Sequence, residues 1–458
     1  MEDNKKTELF ETSPIPRAVM QLSIPIVIST LVMVIYNMAD TYFVGLLNDS
    51  VQTAAVTLAS PVLLAFNAVN NLFGVGGSSM MSRALGRRDY DTVRRSSAIS
   101  FYCALIFSVI FSLCYTLFKT PLLQVLGADT DTVQATGRYL MWTTTCGAAP
   151  AILNVVMAQI VRSEGASLHA GLGMISGCLL NIVLDPFFIL PRGLNMGAAG
   201  AGCATFISNC TACTYFFILI YVKKRKKTTY ISLNPFLLKA PKTILIGICA
   251  VGIPAAIQNI LNVTGMTILN NFMSGYGSDA VAAIGIAQKV NMIPLYIAMG
   301  MSQGVMPLIG YNFSSGNAER MKKAIRFSIS IALAFLVTLT VIYYAGAKTI
   351  IGFFMESDTV VLYGSGFLRG LCIAQPFLCI DFLAVGVFQA CGMGKKSLVF
   401  AILRKIVLEI PALIILNRIF GMYGLAYAQF CAEIVLAVAA VIVLLRIFRN
   451  LEHEKSEK

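Results

Sequence analysis

The stretch AVMQLSIPIVISTLVMVIYNMADTYFVGLL, from Ala18 to Leu47, decides the fold class of this chain. It is longer than the roughly 20 residues that an α-helix needs to cross the hydrocarbon core of a bilayer. Asp40 lies near its far end, and an ionisable side chain inside a membrane helix is costly enough to suggest a function. Because Tyr36 and Asn37 precede Asp40 by four and three residues, all three share one helical face. This face is therefore the first candidate for a functional site.

The composition of the whole chain indicates the same class. Of its 458 residues, 57% are hydrophobic and only 12% are charged, and the mean hydropathy is +0.76, as is typical of a polytopic membrane protein. The formal net charge of +13 would favour a nucleic-acid partner in a soluble domain. Here the basic residues lie in short connections between apolar segments, so we expect no nucleic-acid partner.

Twelve apolar segments are long enough to cross a membrane, and the connections between them are mostly short. We therefore predict an all-α integral membrane protein with twelve transmembrane helices. The first segment is too long for the core of a signal peptide, so we expect it to be retained. The predicted limits of the helices are 18–47, 52–81, 96–118, 133–160, 168–190, 197–222, 243–273, 279–309, 325–346, 360–390, 397–417 and 422–447.

Lysine and arginine residues set the expected orientation. With a cytoplasmic N-terminus, the cytoplasmic connections hold 28 of the 35 basic residues, a count that includes Arg404 and Lys405. Only Lys289 is then left within a span. We therefore predict a multi-pass protein of the bacterial cell (inner) membrane with both termini in the cytoplasm. The run KKRKK at 223–227 fits a topology signal, with binding of anionic lipid head groups as the alternative.

The chain repeats itself with an offset near 228 residues. Parallel repeats of six helices, related by an axis along the membrane normal, are typical of transporters, although duplication also occurs in channels. We therefore predict two six-helix lobes related by pseudo-two-fold symmetry, residues 1–222 and 243–458, joined by a basic cytoplasmic linker at 223–242. The corresponding stretches are LSIP at 22–25 and VGIP at 251–254, AAVTLA at 54–59 and AAIGIA at 282–287, and Gly76 and Gly304.

Polar residues in the spans of the N-terminal half gather around Asp40. Asn181 and Asp185 are four residues apart and share one face of the fifth span, while the fourth offers Asn154 and the sixth Thr205. Two carboxyls in a low dielectric would not both stay ionised comfortably, which suits a proton carrier. The same oxygens could instead coordinate sodium, held by Asp40 and Asp185. For any single asparagine, an interhelical hydrogen bond is the simpler explanation.

Other polar residues could line a substrate cavity. Glu409 occupies the repeat position of Asp185, but no residue of the stretch ILNNF at 268–272 corresponds to Asp40, so the halves are chemically unequal. Lys289 is equally compatible with a substrate contact and with a buried ion pair. The candidates for this cavity are Asn37, Asn67, Asn70, Asn71, Gln258, Asn259, Lys289, Gln303, Asp381 and Glu409.

Pro25 and the cysteines complete the set of notable residues. Pro25 removes a backbone hydrogen bond from the first span and favours a bend there, either static or responsive to the charge on Asp40. Twelve cysteines occur with only two histidines, and nearly all lie in apolar spans, as packing residues do. We therefore expect no cofactor and no metal other than a coupling ion, H⁺ or Na⁺.

Several motifs, in order along the chain, resemble those of the multidrug and toxic compound extrusion (MATE) family. The resemblance runs from about residue 8 to residue 447. It is closest to the MepA-like bacterial group, with DinF-like features in the N-terminal half. The motifs that carry it are LSIP at 22–25, YNMADTYFVG at 36–45, LFGVGGSSMMSRALGRRD at 72–89, RSEG at 162–165, NIVLDP at 181–186 and PLIGYNFSSGN at 307–317.

The resemblance implies two lobes in a V shape and the export of small cationic, amphipathic compounds in exchange for protons or sodium. It also implies that Pro25 is the site of the bend in the first helix. A sodium site of the NorM-like branch is not expected in the second half, because Gln258, Asn259 and Asn262 stand where that branch has an acidic residue. The cation-coupling network implied by the DinF-like features consists of Asp40, Tyr36, Asp185, Asn181, Asn154 and Thr205.

The prediction is therefore a secondary active antiporter, not an enzyme, that works by alternating access. We expect it to function as a monomer, with membrane lipids around it. One alternative is a flippase of the same superfamily acting on lipids or lipid-linked oligosaccharides. The scarcity of bases inside the spans argues against it, because a pyrophosphate group needs a cationic cavity. A second alternative, an integral-membrane lipid enzyme, would need a cluster of histidines and acids at the membrane interface.

Overall fold

The computed structural model describes residues 2–47, 49–239, 241–354 and 357–456. Within these ranges the regular structure is helical, and the described residues form no β-strand. The apolar length of the segments explains this, because a helix satisfies all its backbone polar groups within one segment in a medium without water. The predicted all-α integral membrane class is confirmed.

The first half of the chain contains nine helices. A short, mainly polar helix, α1, precedes the first apolar one. Helices α6 and α7 are bent by 50° at their break and together form one span. Six spans result. The helices are α1 (Glu2–Glu11), α2 (Ile15–Gly45), α3 (Val51–Gly86), α4 (Tyr90–Leu117), α5 (Lys119–Val125), α6 (Val133–Cys146), α7 (Ala148–Ser163), α8 (Ser167–Ile189) and α9 (Ala198–Arg225).

The second half repeats this pattern. Helices α13 and α14 are bent by 41° at their break and form one span. Gly421 interrupts α15 with non-helical backbone angles (φ 61°, ψ −145°), so that this helix supplies two spans. By length and composition, nine of the described helices could cross a membrane, or eleven spans if each bent pair counts as one. Division of α15 at Gly421 gives the predicted number of twelve. The helices are α10 (Lys242–Ser274), α11 (Ser278–Ser314), α12 (Ala318–Gly352), α13 (Asp358–Ile373), α14 (Gln375–Ala390) and α15 (Gly394–Leu451).

The chain divides into two compact units. The first unit comprises Met1–Leu9 and Ile28–Ala256, and the second comprises Phe10–Val27 and Ile257–Lys458. The early parts of α2 and α10 therefore belong to the unit of the opposite half. The division follows closely after Pro25 in α2 and at the equivalent point of α10. The lobe limits predicted from the repeat, at residues 222 and 243, differ from the limits of these units and stay a prediction.

Repeat-related glycines allow the same close helix contact within each unit. In the first unit, a methyl group added to Gly76 of α3 would overlap the backbone oxygen of Ile248 on α10. In the second unit, a methyl group added to Gly304 of α11 would overlap the backbone of Ser23 on α2. The sequence correspondence of Gly76 and Gly304 is thus matched by their packing. Pro25 lies inside α2, which is one uninterrupted helix, and the bend stays a prediction.

The chain after α9 is fastened to the first unit rather than left as a free connection. Both carboxylate oxygens of Glu164 accept hydrogen bonds, from Thr229 Oγ1 at 2.5 Å and from the backbone nitrogens of Tyr230 and Ile231 at 2.7 Å and 3.1 Å. The Tyr230 ring also stacks on Tyr90, with ring centroids 4.1 Å apart. Glu164 belongs to the RSEG motif, which therefore anchors the predicted basic linker.

Candidate functional site

The candidate site of the first unit begins on the later part of α2. Tyr36 and Asp40 are one turn apart, and both are half-buried. The Tyr36 hydroxyl lies 3.4 Å from Thr205 Oγ1 on α9. Oδ1 of Asp40 is shielded from solvent and has no hydrogen-bond partner among the described residues. The acid identified from the sequence thus has one oxygen free to accept a proton or an ion.

Helix α8 contributes the second acid of the site. Asp185 is wholly buried and Asn181 is 2% exposed. With its nitrogen oriented toward Asp185, the Asn181 amide donates to Asp185 Oδ2 at 3.0 Å, and its oxygen accepts from Thr205 Oγ1 at 3.2 Å. The predicted grouping of Asn181 and Asp185 on one face of a helix is therefore seen as a direct contact.

These contacts form a hydrogen-bond chain with a single direction. The Thr205 hydroxyl has one proton, and if it donates to Asn181 it can only accept from the Tyr36 hydroxyl. The chain then runs from Tyr36 through Thr205 and Asn181 to Asp185, with each group donating to the next. Its last member receives a hydrogen bond on Oδ2, which suits an ionised carboxylate. The charge of Asp40 also acts on Asp185.

Tyr139 of α6 also belongs to this site, although the sequence did not single it out. It is 4% exposed, and it lies within electrostatic reach of the carboxyls of Asp40 and Asp185 and of the Tyr36 hydroxyl. The only signal in the sequence is its place in a predicted span. This signal is weak, because tyrosines in apolar segments have many roles. Its position could be recognised only from the packing of α6 against the other helices.

Asn154 lies beside the hydrogen-bond chain from Tyr36 to Asp185 and is not a member of it. Its Nδ2 donates to Oδ1 of Asn209 at 2.7 Å. Asn209 is one turn after Thr205 on α9 and was not identified from the sequence. The structure thus brings together five of the six predicted coupling residues, Tyr36, Asp40, Asn181, Asp185 and Thr205, and places Asn154 about one helical turn away.

The candidate substrate residues of the first half are dispersed. Asn67 is exposed, Asn71 is half-buried and Asn70 is buried with an Oδ1 that has no partner in the described part of the chain. A π-helical segment begins at Asn70, so the α-helical spacing of side chains does not continue past it. Asn37 is exposed on α2. Their role in a substrate cavity stays a prediction.

The second unit contains a buried cluster of charges on α14 and α15. Nη1 of Arg404 lies 3.1 Å from Oδ2 of Asp381, and Nη2 donates to Oδ1 of Asn262 at 2.6 Å. One position further on, Nζ of Lys405 lies 2.6 Å and 2.7 Å from the two oxygens of Glu409. Arg404 is 1% exposed and Lys405 is 9% exposed.

This cluster corrects two predictions. Arg404 and Lys405 were placed in a cytoplasmic connection, whereas both are buried within α15, where acids on α14 and α15 compensate their charges. The idea that Lys289 pairs with a buried acid is also wrong. Lys289 is exposed, and Asp381 and Glu409 have Arg404 and Lys405 as partners instead.

The remaining candidates of the second half lie on α10 and α11. Gln258 Oε1 accepts from Nε2 of Gln389 at 3.3 Å. Asn259 and Gln303 are half-buried. Among the described residues, no group of three or more histidine, cysteine, aspartate or glutamate side chains is arranged to hold a metal ion. An alkali cation would instead need the mixed carboxylate, amide and hydroxyl oxygens that surround Asp40 and Asp185.

Fold and site together define a polytopic α-helical membrane protein built from two repeated halves, each with buried polar groups. A family model described as MatE matches residues 25–187 and 254–415, once in each half. The chain belongs to the MatE family.

Relatives and solved structures agree with this assignment over nearly the whole chain. The chain is 35% identical to "Multidrug export protein MepA" of Staphylococcus saprophyticus over 451 residues, which is 98% of this chain and 97% of the relative. The protein of the same description from Staphylococcus aureus is 35% identical over 450 residues, with the same coverage. A solved structure described as an outward-facing multidrug resistance MATE family transporter of the MOP superfamily has a TM-score of 0.91. It is 26% identical and covers 98% of this chain and 99% of its own.

Proposed function

We propose that this protein is a secondary active antiporter that exports small cationic, amphipathic compounds in exchange for protons or sodium. The observation that carries the proposal is the hydrogen-bond chain from Tyr36 to Asp185 beside the free oxygen of Asp40. The relatives described as multidrug export proteins support export as the direction of transport and drugs as the substrates.

The two acids have different parts in this proposal. Asp185 accepts a hydrogen bond from Asn181, which orients its carboxylate. Asp40 has one unpartnered oxygen and takes up the coupling ion. A proton would neutralise Asp40 directly, whereas sodium would need oxygens from both acids. Either ion adds one positive charge between carboxyls that repel each other, and its binding lowers that repulsion.

The driving force includes the membrane potential. Each charge that moves inward across the membrane gains about 2.3 kcal/mol per 100 mV. Exchange of one ion for one monovalent cationic compound moves no net charge, so the potential contributes only when more positive charge enters than leaves in a cycle. Substrates would bind through aromatic and methionine side chains together with acids. We place the protein in a bacterial cell membrane, with cytoplasmic termini, surrounded by lipid, working as a monomer and without enzymatic activity.

The flippase alternative receives no support from the charges of the second unit. Arg404 and Lys405 lie inside α15, but Asp381 and Glu409 neutralise them at 3.1 Å and 2.6 Å. A site for pyrophosphate needs bases that are free to bind it. In the described part of the chain, these two paired bases do not provide such a site.

Efflux from proteoliposomes under separately imposed proton and sodium gradients tests the proposal. Asp40→Asn should abolish ion-coupled efflux while the protein still folds and still binds substrate. Asp49→Asn is the matched control, because Asp49 caps α3 through a hydrogen bond from Val51 N at 2.8 Å and asparagine caps helices equally well. Coupled efflux retained by Asp40→Asn would contradict the assignment of the site. If the unchanged protein shows no efflux under the proton gradient and none under the sodium gradient, antiport itself is contradicted.

A further inference from the structure

Glu433 is a buried acid that the proposed function does not use. It lies in the part of α15 after Gly421 and is wholly buried. Neither of its carboxylate oxygens has a hydrogen-bond partner among the described residues. A carboxylate in such a place would lose its hydration without compensation, which is among the most costly arrangements in a protein.

The surroundings of Glu433 are already paired with each other. The charged groups that act on it are Asp381 from α14, and Arg404, Lys405 and Glu409 from the earlier part of α15. Arg404 pairs with Asp381 and Lys405 pairs with Glu409. Both bases are therefore committed to other acids, and Glu433 is left as the third acid beside two bases.

This count leaves the cluster one positive charge short if all three acids ionise. Two bases neutralise two acids, and the third charge would remain buried without a partner. One monovalent cation has to supply the balance. A sodium ion would need several oxygen ligands around it, but one of the two neighbouring pairs presents the Arg404 guanidinium, whose Nε also lacks an acceptor in the described chain. A proton needs only one carboxylate oxygen and no further ligands.

We infer that Glu433 is a proton-binding site of the second unit, separate from the pair Asp40 and Asp185. The ion pairs of Arg404 and Lys405 hold the site neutral while the proton is bound. Loss of the proton creates an unpaired negative charge in the cluster, which favours any arrangement that admits water or a cationic compound to Glu433. This inference goes beyond the proposed function, because it concerns proton binding in the second unit and does not depend on exchange at Asp40.

Infrared spectroscopy of the purified full chain in detergent tests the inference. A protonated carboxylic acid has a C=O stretching band that an ionised carboxylate lacks, and this band shifts in heavy water. At neutral pH the unchanged protein should show a band that Glu433→Gln loses. Asp49→Asn should keep this band, since Asp49 is solvent-exposed. Asp40→Asn should also keep it, even where that variant has lost coupled efflux, which separates this site from the proposed coupling site.

The presence or loss of this C=O band in Glu433→Gln decides whether Glu433 binds a proton. Its loss in Glu433→Gln, with the band kept in Asp40→Asn, supports the inference. A spectrum of Glu433→Gln equal to that of the unchanged protein overturns it, because Glu433 would then be ionised. If Glu433→Gln does not give monodisperse protein, Glu433→Leu serves in its place, since a neutral apolar side chain suits a buried position without hydrogen-bond partners.

Discussion

Arg404 and Asp381 form an ion pair in the interior of the second unit, with 3.1 Å between Nη1 and Oδ2 and only 2% of each side chain exposed. Removal of one partner leaves the other as a buried, unpaired charge. The loss of stability expected for this is about 3–5 kcal/mol, whereas replacement of both partners by neutral groups is often nearly neutral.

We therefore expect Arg404→Met to lower the free energy of unfolding by about 3–5 kcal/mol, and Asp381→Asn combined with Arg404→Met to restore most of it. Denaturation of the purified protein in detergent measures both. The control is Lys323→Met, which breaks the ion pair with Glu319 at 2.7 Å, where both side chains are mostly exposed; it should change stability little. Equal stability of Arg404→Met and the unchanged protein would refute the importance of the pair.

Gly304→Ala should destabilise the second unit. The added methyl group would overlap the backbone of Ser23, so α11 and α2 would have to separate at a cost of about 1–3 kcal/mol. The control on the same helix is Gly285→Ala, because nothing lies within 4 Å of a methyl group at Gly285. That change should be neutral or stabilise the helix by up to about 1 kcal/mol. Thermal unfolding in detergent distinguishes the two variants, and equal melting temperatures would contradict the close contact.

Glu164→Ala should release the chain after α9. Without the carboxylate, Thr229 Oγ1 and the backbone nitrogens of Tyr230 and Ile231 lose their acceptor. Trypsin should then cleave faster at Lys226 or Lys227, and the rate of cleavage in native protein measures this. Glu319→Ala is a control, because it removes an exposed carboxylate on α12 that pairs with Lys323 at 2.7 Å. Unchanged cleavage of Glu164→Ala would show that the anchor is not needed.

The pH dependence of this anchor has a definite sign. Burial raises the pKa of Glu164, although its hydrogen bonds partly offset the shift. The folded protein then holds this proton at pH values where the unfolded chain has lost it, so the stability that the group contributes falls as pH rises through the raised pKa. The melting temperature of the unchanged protein, measured relative to Glu164→Gln, should therefore increase as the pH is lowered from neutral. A decrease would contradict the raised pKa.

The sequence predicts some of this site and not the rest, for physical reasons. The twelve spans follow from apolar length alone, and the contact of Asn181 with Asp185 follows from the helical repeat. Thr205 lies on another helix and its partner is defined only by packing, so its place in the coupling network came from the resemblance to the family. Arg404 was placed in a cytoplasmic connection because the count of lysines and arginines that sets the orientation assigns each base to the nearest loop. Its acid lies 23 positions earlier on α14, a pairing without local periodicity.

Thr205→Val should weaken ion coupling more than it weakens folding. The change removes the hydroxyl that joins Tyr36 to Asn181 while it keeps the shape of the side chain. Two hydrogen bonds of about 0.5–1.5 kcal/mol each are lost, so the ion concentration for half-maximal efflux should rise roughly tenfold. Efflux from proteoliposomes at graded proton or sodium gradients measures this shift, and Thr205→Ser should behave nearly as the unchanged protein does.

The matched control for this change is Thr211→Val on the same helix. Thr211 Oγ1 donates only to the backbone oxygen of Ile207, at 3.0 Å, and the side chain is exposed. Its loss should leave the ion dependence of efflux unaltered. If Thr205→Val and Thr211→Val shift that dependence equally, the hydrogen-bond chain is structural and the coupling ion does not act through it. A shift confined to Thr205→Val means that ion binding at Asp40 depends on how the chain holds Asp185.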